Sequence, residues 1–544
     1  MDPQEQPDPE WPLVMVPPLP AARGLMRLRL LPGTLARLGP VALSRYARHR
    51  LAGGQALKHD ATSPAPPFLH DTAGPDPGID WHIGPGGAAP RDLPALAVPT
   101  AAHFDIRLLW ERGRLVDLPT LPPAEAEARL RSFVAANPPY RGPHWACGQE
   151  AAIRLVHILA AWQAACGPAR PGLKALVALH RDRIAATLSY AMAQDNNHAT
   201  SEAAGLWAAG VALEDPGLAT RGRNLLEAAV LRLFSPSGAF SQHSMRYQVA
   251  ALELPAFAES FARAHGAPGL GQAASARLAA GAAWLARLVH PESGRPWRLG
   301  HDDGSCFLGA STDDLRPTLA RARTAFGTVE PAPDPSPEFL ALSESALRLY
   351  LRVPREKFRP SQADALHLEF WHGATPLLMD AGTALYNFRA ASGAPDLART
   401  AAHNTIAFDD DDQMPRLSRF LYGAWLQPRD VAALPGEMRA GYRDWRGRSH
   451  HRAVALHGGE LRVTDRIAGR FARAALRFRL PEAAWRLEGE ALVGPGLRLA
   501  VQGARGLRLV RLPHAKAYGS WTTTPALEAW TDRPGSLVTT IRLA

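Results

Sequence analysis

Apolar residues between about residue 122 and residue 326 recur at three- and four-residue spacing, the period of an amphipathic helix. The first predicted helix begins at Pro122-Pro123 and stops at Asn137-Pro138-Pro139, because proline fits a first helical turn and blocks a later one. Further helices are predicted at Glu150–Ala165, Leu173–Ala193, Ser201–Leu213, Leu218–Phe234, Met245–His265 and Gly271–His290. Short connections containing Gly or Pro join them, which is typical of a helical bundle or an α/α toroid.

The period changes to two after the proline-rich stretch Pro331–Pro337, which has the composition of a linker. Alternating apolar and polar positions predict strands there. The clearest are Leu347–Val353, Leu366–Phe370, Leu461–Val463 and Leu476–Leu480. Strands of this kind, separated by Gly, Pro and Asp turns, are half exposed and antiparallel, and we expect them to pack as a sandwich.

These patterns predict a multidomain chain, α then β. Residues 1–95 form a Pro/Gly-rich N-terminal segment with one or two helices, one of them near Thr34–Leu51. Residues 96–330 form the helical domain, 331–345 a linker and 346–544 the sandwich domain. A length of 544 residues exceeds what one ordinary hydrophobic core organises, which agrees with this division.

The formal net charge is +10, and it comes almost wholly from arginine. Guanidinium groups pair well with carboxylate, sulfate and phosphate oxygens, so the excess indicates a polyanion partner. An arginine-rich codon usage explains it equally, since the arginines are spread along the chain. No basic block, zinc-finger spacing or RNA-binding aromatic motif indicates nucleic acid. The three cysteines, Cys147, Cys166 and Cys306, lie far apart and predict neither disulfides nor a Cys-based zinc site.

The N-terminus is acidic and proline-rich, unlike a signal peptide. The most apolar stretch, 274–289, is interrupted by Arg277 and Arg287, so no membrane span is predicted. These features predict a soluble, cytoplasmic protein. The alternative is the periplasm or cell envelope, if the start codon is misassigned.

The densest polar cluster is Gln194–Glu202, set inside an Ala-rich helical region. Amide, imidazole and carboxylate groups brought together in a concave site can bind an acidic sugar and move protons. The simpler alternatives are that Asn196 and Asn197 cap a helix and that His198 is a core histidine. Two further polar segments stand out, Ser244–Tyr247 and His403–Thr405.

Taken in order, several segments resemble the heparinase II/III-like family of polysaccharide lyases. They are Asp105–Arg112, His144-Trp145 with Glu150–Arg154, Asn197-His198 with Glu202, Ser244–Tyr247, and Ala402–Thr405 with Asp412-Gln413 and Phe420. The resemblance implies a fold in which an incomplete α/α toroid is followed by an antiparallel β-sandwich. It also implies β-elimination on uronic-acid glycans, so the expected partner is an acidic poly- or oligosaccharide.

The resemblance also implies roles for individual residues. Asn197 and His198 would bind the uronate carboxylate and stabilise the enolate-like intermediate. Tyr247 would protonate the leaving oxygen and act as base on one substrate epimer, while His403 would be the other proton acceptor, in a cleft between the domains. A phenol needs a nearby cation to act as a base, for which Arg246 and Arg154 are candidates. The predicted substrate-binding residues are Glu202, Arg246, Arg154 and Trp145.

Other interpretations of the same residues stay open at this point. Tyr247 could be a core aromatic, and His403 a strand-end histidine or a metal ligand. No cofactor is expected to be required; relatives can hold zinc through His and Asp, and His403, His450 and His451 are available, but no suitable Asp is evident. We therefore predict no metal ligands; structural zinc or calcium is possible but unsupported. The alternative functions are a non-catalytic or biosynthesis-associated glycan-binding protein, and a glycoside hydrolase using Glu202, Asp302 and Asp303.

Overall fold

The computed structural model describes residues 11–52, 57–58, 61–84, 87–89, 91–97, 105–308, 313–330, 337–355, 359–385, 393–418 and 420–543. Ten helices occupy the first part of this described chain. They are α1 (Gly24–Ala52), α2 (Ile106–Gly113), α3 (Pro123–Ala136), α4 (Gly148–Ala165), α5 (Pro171–Gln194), α6 (Asn197–Ala212), α7 (Pro216–Leu233), α8 (Met245–Ala264), α9 (Gln272–Ala286) and α10 (Arg316–Phe326).

The predicted helices match α3 to α9 to within a few residues, and the sequence supplies their boundaries. Pro123 occupies the first turn of α3, and Asp215 and Ser244 cap α7 and α8 by accepting backbone N–H bonds. Helices α4 to α9 pack around one apolar core. Within the described residues, no helix has the length and apolarity needed to cross a membrane.

The named strands pair with one another in antiparallel fashion. The first two, β1 (Ile83–Gly84) and β2 (Gly87–Ala88), form a small hairpin before α2. A four-stranded sheet contains β3 (Phe339–Glu344), β4 (Leu347–Arg352), β5 (Leu368–His372) and β6 (Thr375–Leu378). A second four-stranded sheet has the order β18-β19-β14-β7, from β7 (Ile406–Phe408), β14 (Ala474–Arg479), β18 (Gly506–Ala517) and β19 (Ser520–Thr531). Strands β8 (Arg416–Ser418) and β9 (Leu421–Tyr422) pair separately.

The largest sheet has eight strands in the order β10-β11-β12-β13-β20-β17-β16-β15. Its members are β10 (Arg429–Leu434), β11 (Glu437–Arg443), β12 (Ser449–His457), β13 (Glu460–Ala468), β15 (Arg486–Glu488), β16 (Ala491–Gly494), β17 (Leu497–Gln502) and β20 (Gly535–Leu543). One apolar core contains inward-facing residues of all three large sheets, so they pack face to face. The expected order of a helical toroid followed by a β-sandwich is confirmed.

Two predicted element boundaries differ from those in the structure. The predicted linker ends at residue 345, but β3 (Phe339–Glu344) already pairs with β4, so the sheet domain begins earlier than alternation alone suggested. Residues 331–336 of that linker lie outside the described residues. The N-terminal helix is longer than predicted and has a kink at Gly39. The φ angle of Gly39 is 79°, which an α-helix does not allow, and Gly39 directly precedes Pro40.

The helical and sheet domains are joined by hydrogen bonds. Arg298 donates to the carbonyl oxygens of Ala515 and Lys516, and the Tyr518 hydroxyl donates to the Asp105 carboxylate. The Arg359 guanidinium donates to the carbonyl of Gln194 at 2.9 Å. These contacts hold one face of the helical domain against the sheet domain and define a cleft between them.

Candidate active site

The cleft between the two domains encloses about 830 Å³. One wall comes from α2 and the facing ends of α4, α5, α6 and α8. The other comes from the sheet domain, where Arg359–Ser361 precede β5 and where Phe420 and Tyr422 lie around β9. Three predicted catalytic residues line this one cleft, namely Asn197, His198 and Tyr247. A cavity of this volume accommodates several sugar rings.

The turn between α5 and α6 presents the Asn-His pair to the cleft. Asp195 ends α5 in the left-handed conformation, with φ 53°, and is held by an ion pair with Arg232. Asn196 is then extended and caps α6, because its side-chain oxygen accepts the His198 N–H at 3.0 Å. The capping interpretation is therefore correct for Asn196, whereas Asn197 lies in the first turn, where the positive end of the helix faces the cleft.

His198 is oriented by Glu202, one helical turn later. His198 Nδ1 lies 3.1 Å from Glu202 Oε1, so the carboxylate accepts from the imidazole when that nitrogen carries the proton. Glu202 is buried and also lines the cleft, and within the described chain its Oε2 has no hydrogen-bond partner. Gly148 permits this arrangement, because a Cβ at that position would lie 2.6 Å from Glu202 Oε2.

Tyr247 comes from the first turn of α8. Ser244 caps this helix by accepting the Tyr247 N–H at 3.2 Å, and its own hydroxyl donates to the His301 carbonyl. Tyr247 lines the cleft, but the adjacent Arg246 does not. Arg246 is buried, pairs with Asp302 at 3.1 Å and lines a separate cavity of about 290 Å³. Arg246 therefore faces a different cavity from Tyr247, and its substrate-binding role stays a prediction.

Arg359, from the sheet domain, is the cation that the structure places near the phenol. Burial lowers the pKa of Arg359, and its guanidinium interacts electrostatically with the side chains of Tyr190, Asp195 and Tyr247. A neighbouring positive charge favours the phenolate over the phenol. Arg359 therefore takes the place that the sequence assigned to Arg246 or Arg154.

Arg154 and Trp145 are core residues rather than cleft residues. The Arg154 guanidinium donates to His180 Nε2 and to the carbonyl oxygens of Gly113 and His144, and it stacks on the Trp145 ring at 5.0 Å. Both side chains are about 1% exposed, so neither can contact a polysaccharide. The substrate-binding role predicted for these two residues is wrong, because both side chains are buried and their polar atoms already make hydrogen bonds to other residues of the core.

A buried charge network lines part of the cleft wall. Arg107 pairs with Asp303 and donates to the Ser305 hydroxyl at 2.9 Å, while Arg114 forms a two-pronged pair with Glu150 at 2.6 and 2.7 Å. Burial alone would raise the pKa of Asp303, but these two arginines hold it at about 2. Asp303 therefore stays ionised at neutral pH and cannot be the general acid in the glycoside hydrolase alternative.

His403 does not line the cleft, so the prediction that it is a proton acceptor there is wrong. It is fully buried behind the sheet and its Nδ1 lies 2.9 Å from Asp380 Oδ2. Burial opposes protonation of His403, but the Asp380 hydrogen bond outweighs it and raises the pKa. Its neighbour Asn404 is also structural: it donates to the carbonyl oxygens of Leu368 and Met379.

His403 instead belongs to a buried group with His367 and Asp380, whose ligand atoms all lie within 4.8 Å of one another. The Nε2 atoms of both histidines are buried and lack hydrogen-bond partners among the described residues. Two imidazoles and a carboxylate are the donor set that zinc prefers, whereas calcium prefers oxygen ligands. The expectation of no metal ligands therefore needs revision: Asp380, which the sequence did not reveal, completes a set that fits zinc.

The other two histidines considered for zinc are not part of this group. His450 Nε2 contacts Asp465 at 2.6 Å inside the large sheet, and His451 faces Asp430 near the surface.

Two further cleft residues escaped sequence reasoning. Arg183 lines the cleft and donates to the carbonyl oxygens of Trp145 and Ala146 and to the Thr187 hydroxyl, all neutral acceptors. His301 also lines it, and burial, with Arg416 nearby, lowers the pKa of His301 to about 3, so its imidazole is neutral at physiological pH. Arg183 follows His180-Arg181-Asp182 and His301 precedes Asp302-Asp303, but nothing in these polar runs shows which side chain faces the cleft.

Comparison with known proteins supports the family resemblance. Residues 352–535 match the family model described as heparinase II/III-like, C-terminal. This match covers most of the sheet domain. No curated protein sequence matches the chain at a significant level.

Solved structures with the same fold include a heparinase III, 13% identical over 93% of this chain and 85% of that chain, with a TM-score of 0.60. Another heparinase III, the BT4657 gene product, is 15% identical over 80% of this chain and 73% of that chain, with a TM-score of 0.54. The heparan sulfate lyase HepC from Pedobacter heparinus is 16% identical over 80% and 75%, with a TM-score of 0.50. At these identities the likeness establishes a shared heparinase II/III-like fold.

Proposed function

We propose that this heparinase II/III-like chain is a lyase that cleaves uronic-acid-containing glycans by β-elimination in the interdomain cleft. The observation that carries the proposal is that the neighbouring residues Asn197 and His198 line the same cleft as Tyr247, which comes from a different helix. Support also comes from the sheet domain's family match and from the fold shared with heparinase III.

The first requirement of β-elimination is to neutralise the uronate carboxylate, because this acidifies the adjacent C5–H. Asn197 and His198 supply hydrogen-bond donors at the start of α6, where the helix dipole also favours an anion. Arg183, whose hydrogen bonds in the structure go to neutral oxygens, adds positive charge to the same cleft. Preorganised groups of this kind stabilise the enolate-like intermediate.

The second requirement is proton transfer, and we assign both transfers to Tyr247. The Tyr247 phenolate, favoured by Arg359, takes the C5 proton. The electron pair of that bond forms the C4–C5 double bond, the C4–O bond breaks, and the phenol returns the proton to the leaving oxygen. One residue can do both only where the C5 proton and the C4 oxygen lie on the same face of the ring, as in glucuronate and not in its C5 epimer iduronate.

The proposal is tested by incubating the protein with a panel of acidic polysaccharides and recording the ultraviolet absorbance of the unsaturated product. We expect product from polymers containing glucuronate and loss of at least about a hundredfold in rate for His198→Ala. His451→Ala, a partly exposed histidine on the large sheet, is the matched control and should retain the wild-type rate. Tight glycan binding without product would instead identify a binding protein on the same fold, the alternative interpretation.

A further inference from the structure

The N-terminal helix α1 carries an exposed apolar stripe that the cleft does not use. Before the kink at Gly39, Leu25, Leu28 and Leu35 are 86%, 67% and 37% exposed. Their spacing, with Pro32 between them, places them on one face of the helix. Burying large apolar side chains is favourable, so a row of exposed leucines on one helix face indicates a contact surface.

The same segment is strongly basic. Residues 11–59 contain seven arginines and no aspartate or glutamate. Arg27, Arg29 and Arg37 on α1 are all exposed. This stretch therefore carries positive charge with no acidic residue of its own to balance it.

The C-terminal half of α1 holds the helix to the body of the protein. Thr34 is buried, and Leu38 packs against the sheet-domain core. Beyond the kink, Arg45 donates to the Met192 carbonyl at 3.2 Å and Tyr46 contacts the Tyr190 ring, both on α5. The helix is therefore fixed mainly through its C-terminal half, while the three leucines and the three arginines stay exposed.

We propose that α1 docks on an anionic phospholipid surface, lying in the interface rather than crossing the bilayer. Leucines reaching the boundary between headgroups and acyl chains, with arginines on the phosphates, are the two features that an interfacial helix needs. A two-fold dimer through this face would place the arginine-rich segments of two copies against each other. A soluble acidic glycan would pair with the arginines but would leave the leucines in water.

The test is co-sedimentation of the full-length protein with vesicles made of equal parts phosphatidylcholine and phosphatidylglycerol, and with vesicles of phosphatidylcholine alone. We expect binding to the anionic vesicles only. The triple variant Leu25→Ser, Leu28→Ser, Leu35→Ser should weaken it by about tenfold or more. Replacing Arg27, Arg29 and Arg37 by Gln should weaken it by about fivefold for each arginine.

The control variant is Leu231→Ser, Leu434→Ser, Leu487→Ser, which changes leucines of similar exposure, 44%, 51% and 38%, on other surfaces. It should bind as the wild type does. The proposal is overturned if the wild type stays in the supernatant, or if the α1 leucine variant binds unchanged. It is also overturned if light scattering shows a dimer that this variant dissociates while the vesicles bind nothing. The vesicles contain no polysaccharide, so this result is independent of lyase activity.

Discussion

Asp303 is predicted to be one of the most stabilising ionised groups of the helical domain, and the substitution Asp303→Asn tests this. The carboxylate is about 6% exposed and lies in the cleft wall against Arg107, with Arg114 also close. Asparagine keeps the size of the side chain and an oxygen that can accept from Ser305, whose N–H and hydroxyl both bond Asp303. What the variant removes is the charge.

The magnitude follows from the pKa. Burial opposes ionisation of Asp303, but Arg107 and Arg114, together with the hydrogen bonds from Ser305, lower its pKa from the ordinary 3.8 to about 2, a net shift of about 2.5 kcal/mol in folding free energy. Leaving two buried guanidinium groups with one carboxylate fewer adds to this loss, so we expect about 2 to 4 kcal/mol. Because the folded-state pKa is depressed, the stabilisation is fully present above pH 3.8 and is lost as the pH falls through about 2.

The assay is urea unfolding at neutral pH, followed by tryptophan fluorescence. The control is Asp71→Asn, the same substitution in an exposed pair with Arg170, where we expect almost no change. If Asp303→Asn unfolds at the same urea concentration as Asp71→Asn, the charge network in the cleft wall does not stabilise the fold and the reasoning is refuted.

Three other predictions concern the cleft and the buried histidine group. Arg359→Gln should raise the pKa of Tyr247 and shift the pH profile of kcat/KM upward by about one unit, and Arg359→Lys should give a smaller shift. An unshifted profile would show that Arg359 does not favour the Tyr247 phenolate. Gly148→Ala should lower kcat by about a hundredfold with little change in Tm, because the added Cβ would displace the Glu202 carboxylate that orients the His198 imidazole. A wild-type kcat in this variant would show that the position of Glu202 does not matter for catalysis. Metal analysis should find one zinc per chain in the wild type and in His450→Ala but none in His367→Ala, and equal content in all three would contradict the assigned ligands.

Much of the helical domain could be predicted because its signals are local. Apolar periodicity and prolines at first turns located α3 to α9, and alternation located strands such as β4 and β14. The Asn-His turn was also visible, because polar residues packed between apolar helices are costly unless they line a cavity. Tyr247 was found by its family segment rather than by periodicity.

The remaining site residues depend on contacts that sequence does not display. Arg154 resembles a binding residue, yet backbone carbonyl oxygens from two other segments satisfy it inside the core. The partner of His403 is Asp380, 23 residues away and on a different segment of the sheet domain. Arg359 stands in the charged stretch Arg355-Glu356-Lys357-Phe358-Arg359, which does not show that this arginine reaches the cleft; it does so only because the domains pack together. Long-range packing decided each of these cases.

The most direct test of the account compares three proteins on one glucuronate-containing polysaccharide, namely the wild type, Tyr247→Phe and Tyr190→Phe. Both tyrosines line the cleft, so the second variant controls for loss of a hydroxyl there. The measurement is the rise in ultraviolet absorbance from the new C4–C5 double bond. The account predicts a rise for the wild type and Tyr190→Phe and none for Tyr247→Phe. An equal rise with Tyr247→Phe, or none with the wild type on any acidic polysaccharide, would contradict it.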